Sequence, residues 1–470
     1  MTSKSNLQTY FIKTFGCQMN YSDSERISRI LENVSLKRVN NIDKADLIIY
    51  NSCSVRQSAE DRILGLKKNI QKLKSKVNKR YLKYKLPIAI LTGCMCKRSW
   101  DNNQKREEKY LNNLKRKTPW VDKFIQIDDI YKIPEILGLK NKTVATNDYL
   151  TIQPNYQSKF SAYVPISTGC DEFCTYCIVP YTRGKLINRP SKEIIKDVRE
   201  LIKKGYKDIM LLGQNVDAYQ APNKFNYKFL DLLKEIDNLK GDFWLSFLSS
   251  HPNYFSQKLA DYFIKSTSKA NESIRNNKPL TQGGHIRSYL HLALQSGSNK
   301  MLKLMNRKYN IDKFISLCQK LKENIPNLNL STDIIVGFPN ETKADFQKTI
   351  NVFKKLEFDM AYINKYSPRK GTVAFKTTDN VPLSIKKKRD KLLTKILSKT
   401  ALKNNQKYLD KEIRVLITKT NKKIAFGKSF NFKDVKINLN NINFIEIGDF
   451  YNVEIKEVNS WSLQGHLNPR

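Results

Sequence analysis

Short apolar runs, each followed by an amphipathic helical pattern, recur through most of this 470-residue chain. Over residues 8–135 these runs are TYFIKTF, ADLIIYNSC and PIAILTGC. Continuous apolar runs of this length are typical of strands buried in a parallel sheet. Their alternation with helices predicts an α/β fold. We therefore expect an N-terminal α/β domain over 8–135, followed by a linker over 136–160.

The same alternation continues over residues 161–400. The predicted strands there are YVPIST, DIMLLGQN, FWLSFLSSHP, YLHLALQSGS, LNLSTDIIVGFP and MAYINKYSPR. Six such strand–helix units predict a partial parallel (βα)6 barrel, in which chemistry gathers at the carboxyl ends of the strands. The polar run 266–284 interrupts this pattern and is expected to be a loop insertion.

The last segment, residues 403–470, alternates apolar and polar residues with a period of two. This pattern predicts a small antiparallel β-barrel as a third domain. Basic barrels of this size often bind nucleic acid. The pattern is equally compatible with a purely structural appendage.

The net charge of +40 favours a polyanionic partner such as RNA, although a general bias toward lysine would produce part of that charge. The stretches 67–85 and 105–117 interleave basic residues with tyrosine and leucine, which is typical of a surface available to RNA. No run of about 18 apolar residues and no signal peptide are present. The sequence therefore predicts a cytoplasmic protein without membrane contact, and nothing in it demands more than a monomer.

Three cysteines, Cys170, Cys174 and Cys177, lie within eight residues directly after a predicted strand. Because the other features indicate no secretion, clustered thiols are expected to bind metal rather than to form disulfides. A zinc site would need a fourth ligand, and none of the four histidines, which are His251, His285, His291 and His466, is near in sequence. A 4Fe–4S cluster held by three cysteines would leave one iron open for a substrate or cofactor.

A second group of cysteines is distant in sequence but similar in context. Cys17, Cys53 and Cys94 each follow a predicted strand. If the three strands lie parallel in one sheet, the cysteines meet at the edge where α/β sheets bind ligands. The alternative is three buried cysteines that only pack in a core. Cys318 lies on an apolar helical stripe and is predicted to be a core residue, whereas Cys96 is a possible spare ligand.

Together, seven motifs resemble the radical S-adenosylmethionine (AdoMet) methylthiotransferase family over nearly the whole chain. These motifs are GCQMNYSDSE (16–25), NSCSVRQSAEDR (51–62), TGCM (92–95), GCDEFCTYCIVPYTRG (169–184), HLALQSGSNKMLKLMNRKY (291–309), DIIVGFPNET (333–342) and YSPRKGT (366–372). The strings CSVR, CIVPYTRG, GQNVDAY and YSPR are most similar to the branch that acts on N6-dimethylallyl(isopentenyl)adenosine in tRNA.

The resemblance implies transfer of a methylthio group to C2 of that adenosine, next to the anticodon. It implies that Cys170, Cys174 and Cys177 hold a 4Fe–4S cluster that binds AdoMet and generates a 5′-deoxyadenosyl radical. It also implies that Cys17, Cys53 and Cys94 hold an auxiliary, sulfur-carrying 4Fe–4S cluster. Further implications are an RNA-contacting C-terminal barrel called TRAM, iron–sulfur assembly machinery, and an electron donor such as a flavodoxin or ferredoxin.

Polar residues near the predicted strand ends are candidates to position AdoMet: Gln214, Asn215, Ser249, Gln295, Arg307 and Asp333. Asn215 and Asp333 could equally cap helices. Two further arginines, Arg183 and Arg369, are candidates to contact RNA phosphate or the AdoMet carboxylate, with a solvated surface arginine as the alternative. No other catalytic residue is assigned.

Two positions depart from the family pattern. Leu186 stands where the family usually has an acidic residue, and Asn340 replaces a glycine. Two functional alternatives stay open. One is a sister branch that acts on threonylcarbamoyl-adenosine in tRNA or on a ribosomal-protein aspartate, and the other is a non-catalytic iron–sulfur RNA-binding protein.

Overall fold

The structure is a computed structural model that describes residues 7–55, 57–78, 87–97, 104–139, 148–421, 423–439 and 445–467. Contacts between Cα atoms group the chain into two compact units. The first comprises Met1–Gln157, Ser167–Phe173 and Cys177–Ile187, and the second comprises Ser158–Ile166, Cys174–Tyr176 and Asn188–Arg470. The predicted limits of the three domains and the linker remain predictions.

The N-terminal part of the first unit alternates strands and helices, as expected. Its elements are β1 (Thr9–Phe15), α1 (Gln18–Asn33), β2 (Lys37–Arg38), β3 (Leu47–Ser52), α2 (Gln57–Leu64), α3 (Lys67–Asn78), β4 (Ile88–Gly93), α4 (Gln104–Lys117), β5 (Lys123–Phe124) and α5 (Ile133–Ile136). All five strands are parallel, in the order β2-β1-β3-β4-β5.

Both faces of this sheet are buried. In β3, Leu47 and Ile49 belong to one apolar core, whereas Ile48 and Tyr50 belong to a second core that includes Trp120. Neighbouring residues of a strand point to opposite faces of the sheet, so an uninterrupted apolar run fills both cores at once. This explains why β3 is apolar at every position from 47 to 50.

The middle of the chain contains the second set of strands and helices. Its elements are β6 (Ser161–Pro165), β7 (Ser167–Thr168), α6 (Val179–Arg183), β8 (Ile187–Asn188), α7 (Ser191–Lys203), β9 (Asp208–Leu212), α8 (Phe229–Asp237), β10 (Trp244–Phe247), α9 (Gln257–Arg275), β11 (Tyr289–His291), α10 (Asn299–Leu304), α11 (Ile311–Asn324), β12 (Asn329–Val336), α12 (Lys343–Leu356), β13 (Met360–Lys365) and α13 (Leu383–Gln406).

Six of these strands form the parallel arrangement that the sequence predicts. One sheet has the order β6-β9-β10 and a second has the order β11-β12-β13, with every pair parallel. Parallel bridges Leu245–Ile286 and Ser250–Leu292 connect β10 and its extension to the segment of β11. The six strands therefore follow one another in sequence order, which confirms the partial (βα)6 barrel.

The last five strands close into a barrel. They are β14 (Glu412–Thr420), β15 (Ile424–Ser429), β16 (Asp434–Asn438), β17 (Phe450–Val458) and β18 (Ser462–Leu467), in the order β14-β15-β16-β18-β17. The pair β16–β18 is parallel, and the other pairs in the described part of the barrel are antiparallel. The predicted barrel is thus confirmed, with one strand pair of the opposite sense.

The predicted loop insertion at 266–284 is wrong for its first half, because α9 continues to Arg275. Ser266, Thr267 and Ala270 are buried on this helix, and Thr267 Oγ1 donates to the carbonyl of Phe263 at 2.7 Å. Small hydroxyl side chains that bond to the preceding turn fit into a helix interior. Their polarity in the sequence concealed this helix.

Candidate cluster and cofactor sites

Three cysteines of the first unit follow the carboxyl ends of adjacent strands: Cys17, Cys53 and Cys94. The register pairs Phe15 with Ser52 and Ser52 with Gly93, so β1, β3 and β4 end at the same level. One cysteine follows each of these strand ends within two residues. The structure therefore brings together the three cysteines that are distant in sequence.

The thiols of this group are in hydrogen-bonding contact. Cys53 is hydrogen-bonded to both Cys17 and Cys94. The bond from Cys53 lowers the pKa of Cys17 to about 7, whereas the same contacts raise the pKa of Cys53. Adjacent sulfurs are the ligand set that iron–sulfur clusters use.

An amide pair joins the first turn of α1 to the end of β3. Asn51 Nδ2 donates to the carbonyl of Asn20 at 2.8 Å, and Asn20 Nδ2 donates to Asn51 Oδ1 at 3.1 Å. Gly93, which precedes Cys94, has φ +90, and a Cβ there would lie 2.4 Å from Asn51 Oδ1. Only glycine fits this close approach without strain.

Arg183 lies at this cysteine group rather than on a solvated surface. Its Nε donates to Cys94 Sγ at 3.2 Å, and its Nη2 contacts Asp23 Oδ2 at 2.5 Å. The side chains of Arg183 and Asp23 are only 2% and 1% exposed. The alternative of a solvated arginine is therefore wrong for Arg183.

The loop with the other three cysteines begins with a constrained glycine. Gly169 has φ +77, and a Cβ there would lie 1.9 Å from the carbonyl oxygen of Lys185. Next to it, the backbone N–H of Cys170 donates to the carbonyl of Gly184 at 3.1 Å. These contacts fold the loop that carries Cys170 and Cys177 back on itself within the first unit.

Cys174 belongs to the second unit, where Arg307 contacts it. Arg307 Nη1 lies 3.5 Å from Cys174 Sγ, and its Nη2 donates to the carbonyl of Ala293 at 2.8 Å. The adjacent Thr175 donates its N–H to the carbonyl of Met305 at 3.1 Å. The described contacts therefore anchor Cys174 to the segment after β11, which carries the candidate Arg307.

Within the described residues, no three His, Cys, Asp or Glu side chains are arranged to hold a single metal ion. A 4Fe–4S cluster spreads its cysteine ligands over separate irons, so its site does not resemble that of a single ion. The adjacent thiols of Cys17, Cys53 and Cys94 fit a sulfur-rich centre by the chemistry of their donor atoms.

Two of the AdoMet candidates have a strained backbone. Ser249 follows β10 with φ +69, and Gln295 follows β11 with φ +70. Non-glycine residues in the left-handed region carry a conformational cost and cluster at functional sites. Gln295 is held there by bonds to β12, because its N–H donates to the carbonyl of Asp333 at 2.7 Å.

The candidates after β9, Gln214 and Asn215, have buried side-chain oxygens. Gln214 Oε1 and Asn215 Oδ1 accept no hydrogen bond within the described residues. The cap hydrogen bond considered for Asn215 is absent in this part of the chain, although the residue does precede a short 3₁₀ turn. Buried acceptors without partners are costly, which favours a ligand at this position.

The remaining candidates lie elsewhere on the second unit. Asp333 lies within β12 rather than at its end or at a helix cap, and its Oδ2 is 3.0 Å from His291 Nε2. Arg369 is half-buried in the segment after β13, and its carbonyl accepts from Thr372 Oγ1 at 2.7 Å. Neither position identifies a ligand by itself.

Sequence reasoning missed two residues, His251 and Asp217, which follow the ends of β10 and β9. His251 was not among the predicted site residues. It is buried, its Nδ1 accepts from the N–H of Asn253, and its Nε2 has no partner within the described residues. Burial lowers the pKa of His251 to about 2. Asp217 accepts from Ser250 Oγ and the N–H of His251, and burial raises its pKa to about 7. Their position after strands was the only available signal.

The two departures from the family pattern are accommodated locally. The backbone N–H of Leu186 donates to Asp171 Oδ1 at 3.0 Å, so this turn contains a carboxylate contact without an acidic side chain at 186. Asn340 has φ +67, which asparagine tolerates better than most residues. Its Oδ1 accepts from Asn380 Nδ2 at 2.8 Å.

The two other cysteines differ in their surroundings. Cys318 is fully buried on α11, as expected for a core residue, and burial raises its pKa. Cys96 packs in the core that includes Trp120, and its thiol donates to the carbonyl of Leu91 at 3.1 Å. This contact gives Cys96 a structural role, while a ligand role stays untested.

The basic stretches lie mainly on two helices of the first unit. On α3, Lys67, Lys68 and Lys72 are exposed, while on α4 the last three residues, 115–117, are all basic and exposed. The end of the first stretch, 79–85, lies outside the described residues. None of the helices in the described ranges is both long and apolar enough to cross a membrane.

Comparisons with known proteins give two family matches along the chain. Residues 164–353 match the family described as the Radical SAM superfamily, and residues 9–112 match the one described as Uncharacterized protein family UPF0004. The chain is 36% identical over 97% of its length to the tRNA-2-methylthio-N(6)-dimethylallyladenosine synthase of Bacillus subtilis, of which it covers 85%.

The enzymes of the same name from two Clostridium species give similar values. The identity is 35% over 99% of this chain and 97% of the Clostridium tetani protein, and 36% over 97% of this chain and 96% of the Clostridium botulinum protein. Similarity of this extent covers both cysteine groups and the C-terminal barrel. The chain therefore belongs to the tRNA-2-methylthio-N(6)-dimethylallyladenosine synthase family of radical AdoMet enzymes.

Proposed function

We propose that this protein is a radical AdoMet methylthiotransferase that adds a methylthio group to C2 of N6-dimethylallyladenosine next to the anticodon of tRNA. The observation that carries the proposal is that the chain keeps both three-cysteine groups while matching enzymes of that name over nearly its whole length. C2 of adenine carries a hydrogen that side-chain bases cannot remove, so a cofactor must supply the reactive species.

Cys170, Cys174 and Cys177 would hold the cluster that binds AdoMet, and Cys17, Cys53 and Cys94 would hold the auxiliary cluster. When bound, these clusters and AdoMet supply the reducing electron, the radical, the sulfur and the methyl group. With three cysteines for each cluster, one iron at each site would be free to bind a cofactor at one cluster and sulfur at the other.

The side chains of the protein bind and orient the reactants. The guanidinium of Arg307 lies beside Cys174 and is fixed by the carbonyl of Ala293, so its positive charge would be available to the carboxylate of AdoMet bound at the cluster. The buried oxygens of Gln214 and Asn215 can accept from amino or hydroxyl groups of its nucleoside. Ser249, Gln295 and Asp333 remain candidates for the same role, and Arg369 for contact with phosphate.

The expected partners follow from the substrate and the clusters. The substrate is a tRNA anticodon stem-loop that already carries the isopentenyl group, and the positive charge favours binding to its phosphates. A flavodoxin or ferredoxin would deliver the electron, and iron–sulfur assembly machinery would load the clusters. We further propose that the protein acts as a monomer in the cytoplasm.

Nucleoside mass spectrometry of tRNA tests the proposal. The chain is expressed in a bacterium that makes isopentenyl-adenosine but lacks its own methylthiolating enzyme, and the digested tRNA is examined for the added methylthio mass. Conversion of isopentenyl-adenosine to its 2-methylthio form is expected. Cys318→Ala serves as the matched control, because Cys318 is a buried cysteine outside both groups.

Two other outcomes would separate the alternatives. A mass shift confined to threonylcarbamoyl-adenosine would place the protein in a sister branch and refute the substrate proposed above. Intact clusters combined with no AdoMet cleavage after anaerobic reduction would instead indicate a non-catalytic iron–sulfur RNA-binding protein.

A further inference from the structure

A buried ion pair of the first unit lies beside the proposed auxiliary site. Arg183 Nη2 lies 2.5 Å from Asp23 Oδ2, and Arg183 Nη1 lies 3.4 Å from Asp23 Oδ1. Removing two charges from water is expensive, and such pairs often contribute little net stability compared with apolar residues. Stability alone is therefore a weak reason for an arginine and an aspartate in this position.

The guanidinium also contacts a cysteine of the site directly. Its Nε–H donates to Cys94 Sγ at 3.2 Å, and its Nη1 donates to Tyr149 Oη at 3.2 Å. The hydroxyl of Tyr149 donates in turn to Thr168 Oγ1 at 3.1 Å. With Asp23 on one side and Tyr149 on the other, the guanidinium of Arg183 is fixed in direction, and its Nε–H points at the sulfur.

This network also connects Cys94 to the loop that carries Cys170 and Cys177. Thr168 precedes Cys170 by two residues, and Arg183 follows Cys177 by six. A displacement of Arg183 would therefore disturb the contact to Cys94 and the chain segment that follows Cys177 together. Arginine suits this task because its planar fork makes several bonds at once and its charge is retained in proteins.

We propose that Arg183 is a positioning residue of the auxiliary site, whose guanidinium, oriented by Asp23, fixes Cys94 and raises the reduction potential of the cluster held there. This inference rests on the proposed function, because it takes Cys17, Cys53 and Cys94 as cluster ligands. An N–H bond to a ligand sulfur and a nearby positive charge both stabilise the reduced, more negative form of a cluster.

The proposal makes opposite predictions for the two partners. Arg183→Gln removes a positive charge and should shift the potential of the auxiliary cluster to more negative values. Asp23→Asn removes the countercharge while the arginine keeps its own, and should shift the potential to more positive values. If the ion pair only stabilised the fold, the two substitutions would not shift the reduction potential in opposite directions.

The measurement is a redox titration followed by EPR spectroscopy on the full-length, anaerobically reconstituted protein. All variants are made in a Cys174→Ala background, so that the auxiliary cluster alone is observed. Iron and sulfide are determined first, and circular dichroism checks that each variant is folded. Where a single variant does not fold, the double variant R183Q/D23N replaces it, with a potential expected above that of R183Q and below that of D23N.

The outcomes test the role of Arg183 separately from the assignment of the cysteine ligands. Opposite shifts from R183Q and D23N support the role of Arg183. Shifts of the same sign, or none, while the cluster content stays normal, refute that role and leave the ligand assignment standing. Absence of any cluster from the Cys174→Ala parent refutes the ligand assignment and the role of Arg183 with it.

Discussion

Arg307 Nη1 lies 3.5 Å from Cys174 Sγ, although 133 residues separate them in sequence. The same guanidinium is held by the carbonyl of Ala293 and stacks at 5.2 Å over the ring of Tyr309. An arginine that is fixed on several sides keeps its direction when a ligand arrives. This geometry makes Arg307 the strongest of the AdoMet candidates.

Arg307→Met should therefore lower AdoMet cleavage by roughly 10²-fold, the usual effect of removing one oriented electrostatic contact. The readout is 5′-deoxyadenosine formed after reduction, measured together with iron content. Arg199→Gln on α7 is the matched control, because Arg199 is exposed. Equal cleavage by the two variants would remove Arg307 from the cofactor site.

The two cysteine groups should respond differently to substitution. Cys174→Ala should abolish AdoMet cleavage, whereas Cys53→Ala should abolish thiolation and leave some cleavage. Both activities are measured on tRNA carrying isopentenyl-adenosine, with Cys318→Ala as the control that retains both. Normal thiolation by the Cys53 variant would contradict its assignment to the auxiliary cluster.

Gly93 and Gly138 both have positive φ, at +90 and +65. Alanine at either position strains the backbone, and more so at Gly93, whose φ +90 and ψ −164 lie in a region that essentially only glycine adopts. Only Gly93→Ala also places a Cβ against Asn51 Oδ1 and the Ser52 carbonyl, whereas nothing lies within 4 Å at Gly138. We expect iron content and thiolation to fall in Gly93→Ala alone; similar losses in both variants would show that the conformation of Gly93 has no particular role at the cysteine site.

Arg287 joins the β-barrel to the parallel strands inside the second unit. Its side chain is fully buried, and its guanidinium lies 4.5 Å from the centre of the Trp244 ring. Its Nη1 contacts Asp208 Oδ1 at 3.0 Å, and its Nε donates to the carbonyl of Phe430 at 3.0 Å. Arg287→Ala leaves buried polar groups unpaired and should reduce the free energy of unfolding by about 3–5 kcal/mol.

Thermal unfolding and limited proteolysis of the barrel measure this effect. The exposed Arg275 at the end of α9 provides the control Arg275→Gln, which should change stability by less than about 0.5 kcal/mol. A melting temperature of Arg287→Ala that equals that of the control would mean that the barrel is held by other contacts.

Asp217 and His251 should give opposite pH dependences of stability. The folded-state pKa of Asp217 is raised from 3.8 to about 7, so the folded protein holds this proton more tightly than the unfolded chain does. The resulting contribution to the free energy of unfolding is complete below pH 4 and is lost as the pH rises to 7. The folded-state pKa of His251 is lowered from 6.5 to about 2, so stability is lost as the pH falls below 6.5.

Urea unfolding of Asp217→Asn and the parent protein between pH 4 and 8 tests the first of these slopes. The variant should gain stability relative to the parent as the pH rises from 4 to 7, by up to about 1.4 kcal/mol per pH unit. A stability difference that does not change with pH would mean that Asp217 titrates normally in the folded protein.

Much of the fold could be predicted because short apolar strands and amphipathic helices leave periodic patterns. The order of β9, β10 and β12 and their alternation with helices are visible in the sequence. The second half of α9 was not visible in the sequence, because Ser266 and Thr267 are polar residues of the kind common in loops. In the structure both are buried on the helix, and the hydroxyl of Thr267 bonds to the preceding turn.

The residues of the candidate site were also only partly predictable from the sequence. Cys53 and Cys94 could be placed at one sheet edge because each follows a strand, and parallel strands end together. His251 and Asp217 could not be recognised, since nothing local distinguishes a histidine or aspartate with shifted pKa from one on the surface. Their burial is a property of the packed strands around them.

By itself, the sequence determined the succession of elements, the spacing of the cysteines and the family motifs, since these are carried by neighbouring residues and by short-range backbone preferences. Only the tertiary structure decided that Arg183 pairs with Asp23 and donates to Cys94, and that Arg307 faces Cys174. These contacts join residues 89 to 160 positions apart. Long-range packing creates them, and it leaves no periodic signal in the chain.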